Sequence, residues 1–408
     1  MIVRTIGLAT ASYVCTYNSR ATNAQAEHRR VRETTPKNAS GQVSHLEGQK
    51  YLKKPLPVLG LGAAGVDYNA MVERYPSPDD KIRVLAAVQS GGGNCANTLT
   101  ALARLGVDCE LLTKVGTDEL GETVLNELVG DNVGISRVVR SHATNTAYTY
   151  VIIEQESSTR TCLHTPQTEE LTVDEVNSML ERSEKLSTLP YSLIHLDSRH
   201  TLAALTLAKV AISVGVPISI DAEKNRPPYF DELLPLCSII FTNEKFPTLY
   251  MPAGREDKIA QLFDSTRAQV IVSTFGGKGS VLYVRRGSEF DTRDTNKVMA
   301  CPLRDIAQKI KLFASIHGIL RISRESCPGY DVLRCPAWPL ANELVVDTTG
   351  AGDAFIGGFL AAHIHNLPLD NCLQLATLVA SQKLRQHGTR TGLPTLQDID
   401  HLLDQEKI

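Results

Sequence analysis

Val346-Asp347-Thr348-Thr349-Gly350-Ala351-Gly352-Asp353 runs straight into Ala354-Phe355-Ile356-Gly357-Gly358-Phe359. The pattern predicts a short apolar strand over Glu343 to Val346 that turns through glycines into a helix. A helix start carries unpaired backbone N–H groups and a partial positive charge, so it suits an anion. Gly350 and Gly352 let that backbone approach a ligand with no side chain in between. Asp353 then sets a carboxylate at the mouth of the anion site. A proton-accepting carboxylate beside a pocket that stabilises developing phosphate charge is the minimum for phosphoryl transfer to a hydroxyl. Taken alone, Gly-x-Gly-Asp has a plainer reading: a helix N-terminus with an acidic first turn and glycines that only permit tight packing.

The rest of the chain supplies the setting. Val58 to Leu61 reads as a strand leading into the glycine-rich bend Gly62 to Asp67. After Gly91-Gly92-Gly93-Asn94, the residues Ala96, Leu99, Leu102, Ala103 and Leu105 recur at helical spacing, and Gly106 stops the helix. Leu111 to Val115 suggests a strand and Gly121 to Val129 a helix. Ala147 to Ile153 and Thr161 to His164 alternate as strands of a small sheet. Beyond residue 190 strands and helices alternate regularly: strands at Leu193 to Leu196, Pro217 to Asp221, Ser238 to Thr242 and Val270 to Thr274, with a helix at Thr201 to Val214. That rhythm predicts a mainly parallel sheet covered on both faces, which binds ligands at the carboxyl ends of its strands. Asp67, Asp197, Asp221, Thr274 and Asp347 are all expected at such ends.

Composition excludes several classes of function. The net charge of −3, with 21% charged residues, does not suggest a nucleic-acid partner. No apolar run reaches the ~18 residues a membrane span needs. Nine scattered cysteines without a CxxC pair point to reduced thiols in an intracellular compartment. No protein-built zinc site is expected, since HExxH is missing and His363 and His365 cannot share a helical face. The first 26 residues lack Asp and Glu, and residues 27 to 54 stay polar around Arg29, Arg30 and Arg32. Such composition is that of an organellar transit peptide and linker over residues 1 to 54, for a plastid before a mitochondrion or the cytoplasm. A disordered cytosolic extension is the other reading.

Gly91-Gly92-Gly93-Asn94-Cys95-Ala96-Asn97 is a second glycine loop entering a helix. Asn94 and Asn97 offer donors and acceptors to sugar hydroxyls, or Asn94 is simply an N-cap. With Ala103-Arg104-Leu105-Gly106 this loop resembles the first signature of the PfkB, or ribokinase-like, carbohydrate kinases, and residues 346 to 353 resemble the second. The resemblance implies a ribokinase-like three-layer α/β/α domain over residues 55 to 408, with a small β-sheet lid near 68 to 90 and 143 to 165. It implies an ATP-dependent kinase acting on a small sugar with Mg²⁺. Asp353 would be the general base, and Gly350, Ala351 and Gly352 the anion hole. Asp67, Gly93, Asn94 and Asn97 would hold the substrate. Thr274, Gly276, Gly277 and Gly279 of a TxGxxG-like loop, and Thr377, eleven residues before Gly388, would hold ATP. A K⁺ site at Asp347 and Thr349, and a homodimer through the lid, are implied as well.

Within the family the chain is similar to ketohexokinase-like and plant sugar kinases. The likeness rests on Arg74-Tyr75-Pro76 to Asp80-Lys81-Ile82-Arg83, Arg160-Thr161, Ile194-His195-Leu196-Asp197-Ser198-Arg199 and Asp221-Ala222-Glu223-Lys224. Fructose, ribose, another pentose or hexose, and a nucleoside are the expected substrates, in that order. Three departures stand out. Gly65 replaces the sugar-contacting Asn of ribokinase. Phe246 replaces the Glu of the family's NxxE, with Glu244 as a substitute. About forty residues beyond the family pattern fall between Gly279 and Asp347, mainly in Glu289 to Leu340, where Asp305 to Leu320 reads as an amphipathic helix. That insertion could be an elaborated lid, a partner surface or a splicing artefact, and it lies between two parts of the ATP site. The insertion and the altered NxxE leave an alternative: a catalytically weak or inactive kinase-like regulatory or assembly protein of an organelle.

Overall fold

The computed structural model describes residues 55–156, 159–181, 189–252, 257–290 and 301–405. The expected transit segment, residues 1 to 54, lies outside these. The chain begins with β1 (Val58–Leu61), β2 (Gly65–Val72), β3 (Ala86–Gly92), α1 (Asn94–Arg104), β4 (Cys109–Leu112), β5 (Lys114–Gly116) and α2 (Glu119–Gly130). Next come β6 (Val139–Ser141), β7 (Ala147–Glu154), β8 (Thr159–Thr165) and α3 (Val173–Glu181). The alternating part holds β9 (Leu193–Leu196), α4 (Thr201–Ser213), β10 (Ile218–Ala222), α5 (Phe230–Leu233), β11 (Ile239–Asn243), α6 (Phe246–Tyr250), α7 (Lys258–Ser265) and β12 (Val270–Thr274). Last are β13 (Ser280–Arg285), α8 (Pro302–His317), β14 (Ser323–Cys327), β15 (Tyr330–Cys335), α9 (Ala351–Ile364), α10 (Leu369–Lys383) and α11 (Leu396–Gln405).

The main sheet has nine strands in the order β14-β15-β13-β12-β11-β10-β9-β1-β4. From β4 to β12 all neighbours pair in parallel. The β12–β13, β13–β15 and β14–β15 pairs are antiparallel. Successive strand residues face opposite sides, so Val58, Ile239 and Phe241 join one buried cluster with α1, α8, α9 and α10. Leu59, Leu61 and Ile240 join the other, with α3, α4 and α7. Two apolar layers on one sheet make the expected α/β/α sandwich. A separate four-stranded sheet, β3-β2-β7-β8, stands beside the sandwich.

Several expectations need correction. The Leu111 to Val115 strand is broken at Thr113, where the chain leaves the main sheet and the Thr113 carbonyl accepts from Val139 N–H. Asp67 is not at the end of a main-sheet strand but inside β2 of the small sheet. Glu343 to Val346 forms no strand: Asn342–Leu344 is a 3₁₀ turn. Val346 and Asp347 instead give their N–H groups to Leu384 O, at 2.7 and 3.2 Å. The amphipathic helix starts earlier than expected, at Pro302, whose ring presets the first helical φ, and stops before Gly318 in the left-handed conformation.

The described part of the extra segment, from Cys301 on, is built into the sandwich. Helix α8 buries Leu303, Ile306, Ile310 and Phe313 in the core, and the β14–β15 hairpin extends the main sheet.

Candidate active site

A cavity of about 1300 Å³ opens at the carboxyl ends of the parallel strands, between the main sheet and the small one. It exceeds the usual size for one small ligand and has room for two. Every sugar-, anion- and ATP-site residue expected from the sequence lines it, as does Thr349, whereas Asp347 and Glu244 do not.

Helix α9 forms the floor. Gly350 takes φ 77°, closed to most side chains, and a Cβ there would sit 2.4 Å from Thr389 Cγ2. The helix is buried nearly all round, and Gly357 lets it press on α1: a Cβ would meet Ala101 Cβ at 2.5 Å. The Ala351 N–H makes a long 3.3 Å bond to Thr348 O, and the first helical turn leaves further amides without intrahelical partners.

Asp353 projects from that turn and is 8% exposed. Asn97 Nδ2 donates to Asp353 Oδ2 at 2.8 Å. Burial, reinforced by the charge of Asp221, pushes the Asp353 carboxyl well above the usual range, and the Asn97 bond opposes the rise. Burial likewise raises Asp221 to about 7. Asn94 is the first helical residue, not the cap: Gly93 precedes α1 without a side-chain cap bond, and Asn94 Nδ2 reaches Asp221 Oδ2 at 2.9 Å. Asp67 accepts from Thr389 Oγ1 at 3.2 Å, and burial raises its carboxyl against that bond. Gly65 has a structural reason: a Cβ there would lie 2.4 Å from Ala147 O, its partner in β7, so no Asn fits this register.

At the other end, β12 delivers Thr274 and a 3₁₀ turn, Gly276–Lys278. A Cβ on Gly279 would lie 2.2 Å from Cys335 O, so this loop seats on the end of β15. Thr377 of α10 and Pro336 to Leu340 complete that wall. Trp338 stacks on Phe313 of α8, with centroids 5.2 Å apart and planes at 9°, so the extra helix braces the cavity wall. Glu244 does not take the place of the missing Glu: it pairs at the exposed surface with Lys278 at 3.5 Å, outside the lining. Among the described residues no cluster of three or more His, Cys, Asp or Glu could hold a metal.

Four residues the motifs did not single out hold this geometry. Asp197 accepts from Ala63 N–H at 2.7 Å and Cys95 N–H at 3.0 Å, tying both substrate-side glycine loops to β9. Buried Arg390 donates to Gly92 O at 2.7 Å, Asn97 Oδ1 at 3.2 Å and Glu127 at 3.4 Å. Arg160 crosses from the small sheet to Thr348 Oγ1 at 2.8 Å. Lys383, wholly buried, donates to Asp347 O at 3.0 Å and Gln386 O at 3.2 Å. Of the four, Asp197 is expected from the sequence at a strand end and Arg160 lies in a stretch that carries the family resemblance, while Arg390 and Lys383 carry no signal.

A buried carboxylate at a helix start, beside the strand ends of a mainly parallel sheet, suits the class of kinases that phosphorylate a hydroxyl. The family model described as "pfkB family carbohydrate kinase" matches residues 53–300 and 332–396, and the chain belongs to that family. The unmatched gap, 301–331, contains α8 and β14. The ATP-dependent ribose-1-phosphate kinase of Halopiger xanaduensis is 23% identical over 349 residues, 85% of this chain and 98% of the relative. The nucleoside kinase of Methanocaldococcus jannaschii is 23% identical over 357 residues, 85% and 97% of the two chains. The fold is shared with the structure of Arabidopsis thaliana ribokinase complexed with ribose and ATP, at TM-score 0.63 and 20% identity, covering 86% of this chain and 99% of that one.

Proposed function

We propose that this kinase transfers the γ-phosphoryl group of ATP to a hydroxymethyl oxygen of a small sugar of ketohexose or pentose type. The observation that carries the reading is Asp353: buried, held by Asn97, and placed on the first turn of α9 beside Gly350 to Gly352.

Asp67, Asn94 and Asn97 orient the sugar hydroxyls. Asp353 takes the hydroxyl proton as the oxygen bonds to the γ-phosphorus, and the bond to the bridging oxygen breaks to release ADP. A raised carboxyl is a stronger base once ionised, which suits a weakly acidic alcohol. The α9 amides meet the transferred group, Thr274 to Gly279 and Thr377 seat the nucleotide, and the overlying small sheet excludes water. Scattered carboxylates with no protein-built cage fit Mg²⁺ that arrives on ATP phosphates and keeps most of its waters; it would neutralise developing charge there. Glu223 is the lining carboxylate available to that water shell.

ATP consumption should be followed over a panel of sugars and nucleosides with Mg²⁺, using Asp353→Asn as blank. Turnover above blank with one ketose or aldopentose supports the reading and names the sugar. Silence with ATP binding intact replaces it with the regulatory or assembly role in an organelle. Tyr68 and Tyr150 stack at 5.2 Å on the outer face of the small sheet, beside exposed Leu163. We propose that face for homodimerisation, to be checked by sedimentation.

A further inference from the structure

Lys383 ends α10, and its side chain turns inward to where two separate stretches of backbone converge. Its ammonium meets Asp347 O at 3.0 Å, Gln386 O at 3.2 Å and Asp347 Oδ2 at 3.9 Å. The side chains of Lys383 and Asp347 are 0% and 1% exposed. The Asp347 carboxylate is already engaged: Oδ1 accepts from Thr349 N–H at 2.8 Å and Oδ2 from Gly388 N–H at 2.9 Å. Carbonyl oxygens gathered from different loops around one point, with a carboxylate behind them, form the ligand set of a dehydrated monovalent cation. Here the charge at that point belongs to the chain itself. The K⁺ site expected at Asp347 and Thr349 therefore does not fit this structure.

The position matters because of what the two stretches carry. One leads directly into Gly350 to Gly352 and Asp353. The other continues to Thr389, bonded to Asp67, and to Arg390, bonded to Asn97. A single charge at their junction thus fixes the loop before Gly350 relative to Asp67 and Asn97. An unpaired ammonium would not be tolerated in such a place, whereas one that donates to two carbonyl oxygens and lies 3.9 Å from a carboxylate oxygen is.

We propose that the Lys383 ammonium is a tethered monovalent cation, clamping residues 346–349 to 384–388, so that this kinase sets its anion hole without K⁺. The role is positioning: Lys383 acts through the loop and does not touch the transferred group. The activity part of the test rests on the kinase reading above; the binding part does not.

Thermal melts and turnover should be compared in KCl, NaCl and tetramethylammonium chloride at equal ionic strength, for wild type, Lys383→Ala and Lys383→Met. Wild type is expected to melt and turn over alike in all three salts. Lys383→Ala opens a space among the carbonyls. Its melting temperature should rise in KCl over tetramethylammonium, and its kcat, down about a hundredfold from the misplaced donors, should recover in part with KM for ATP little changed. Lys383→Met fills the space without charge and should show the loss but no rescue. A wild type activated severalfold by KCl would overturn the proposal, since a free cation site would then exist. So would a Lys383→Ala melt indifferent to K⁺, or a Lys383→Met enzyme with full kcat. If no substrate is ever turned over, the salt-dependent melts alone decide, and they separate this failure from failure of the kinase reading. If Lys383→Ala does not fold in any salt, wild-type indifference to KCl together with the Lys383→Met result decides.

Discussion

The two ends of the cavity are made of different material. At the sugar end, polar side chains hold one another: Asp67 with Thr389, Asn94 with Asp221, and Asn97 with both Asp353 and Arg390. At the end proposed for the nucleotide, backbone and apolar surface at Gly276, Gly277, Ala337, Trp338, Leu340 and Ala380 dominate, with only a few polar groups such as Thr274, Lys278 and Thr377. A side-chain network fixes atoms to a few tenths of an ångström and is costly to break, whereas an apolar wall fixes a shape and yields gradually. Substitutions at the sugar end should therefore change kcat or folding, and those at the nucleotide end should change KM.

The largest effect is expected at Asp353. Asp353→Asn should lower kcat about 10³-fold or more while leaving ATP affinity within a few-fold. Turnover within tenfold of wild type would remove Asp353 from the role of base. The same change carries a stability signature. The folded-state carboxyl is raised by burial, so folding favours the protonated form, and stability is lost as pH rises through the folded value. Asparagine cannot ionise and its Oδ1 can still accept from Asn97. The variant should melt above wild type at pH 8, with the gap closing toward pH 4. A gain at one pH and none at the other separates loss of charge from general repacking.

Next is Arg390, which joins Gly92, Asn97 and Glu127 from the far end of the chain. Arg390→Met should cost about 3 kcal/mol of stability, as removal of one member of a buried charged network does. It should also lower kcat, because Asn97 would lose the partner that orients its amide. Denaturant unfolding checks the first expectation. A variant as stable as wild type would show that the network is an ornament of packing.

These two residues show where the sequence is legible and where it stops. Asp353 stands out in the sequence because its signal is local: glycine, helix start and carboxylate lie within eight residues, and each has a physical meaning without the rest of the fold. The strands at Leu193–Leu196 and Val270–Thr274 are found for a similar reason, being apolar runs bounded by turn residues. Arg390 and Lys383 are surface-type residues near a chain end, and only tertiary packing puts them at 2% and 0% exposure. The Glu343 to Val346 strand fails for the opposite reason. Its apolar pattern suits a strand, yet it pairs with none: Leu344 N–H goes to Ala341 O within a 3₁₀ turn and Val346 N–H to Leu384 O. Segment 301–331 has no counterpart in the family model, so its part in bracing Trp338 could come only from the packed structure.

At the nucleotide end the expected response is smaller. Trp338→Ala should raise KM for ATP about tenfold, the effect of ~1.4 kcal/mol of lost aromatic contact, with kcat nearly unchanged. Phe313→Leu, one layer behind, should shift KM the same way by less. A fall in kcat instead would mean that α8 reaches the chemistry, and the contrast between the two ends would fail.

The smallest effect tests the electrostatics of the sugar end. Asp221 and Asp353 are both buried, and the charge of Asp221 makes Asp353 harder to ionise. The base works only when ionised, so kcat/KM should fall on the acid side of a pH profile. Asp221→Asn removes the neighbouring charge while its amide oxygen can still accept from Asn94. The Asp353 carboxyl should then move down, and the acid limb should shift to lower pH, with plateau kcat changed less than tenfold. Glu223, also lining the cavity, raises Asp353 by a weaker effect that ranks behind both Asp221 and the Asn97 bond, so Glu223→Gln should move the limb the same way and less far. Reversal of that order, or an acid limb unmoved by either change, would show that burial alone sets the base and that the carboxylates act only through hydrogen bonds.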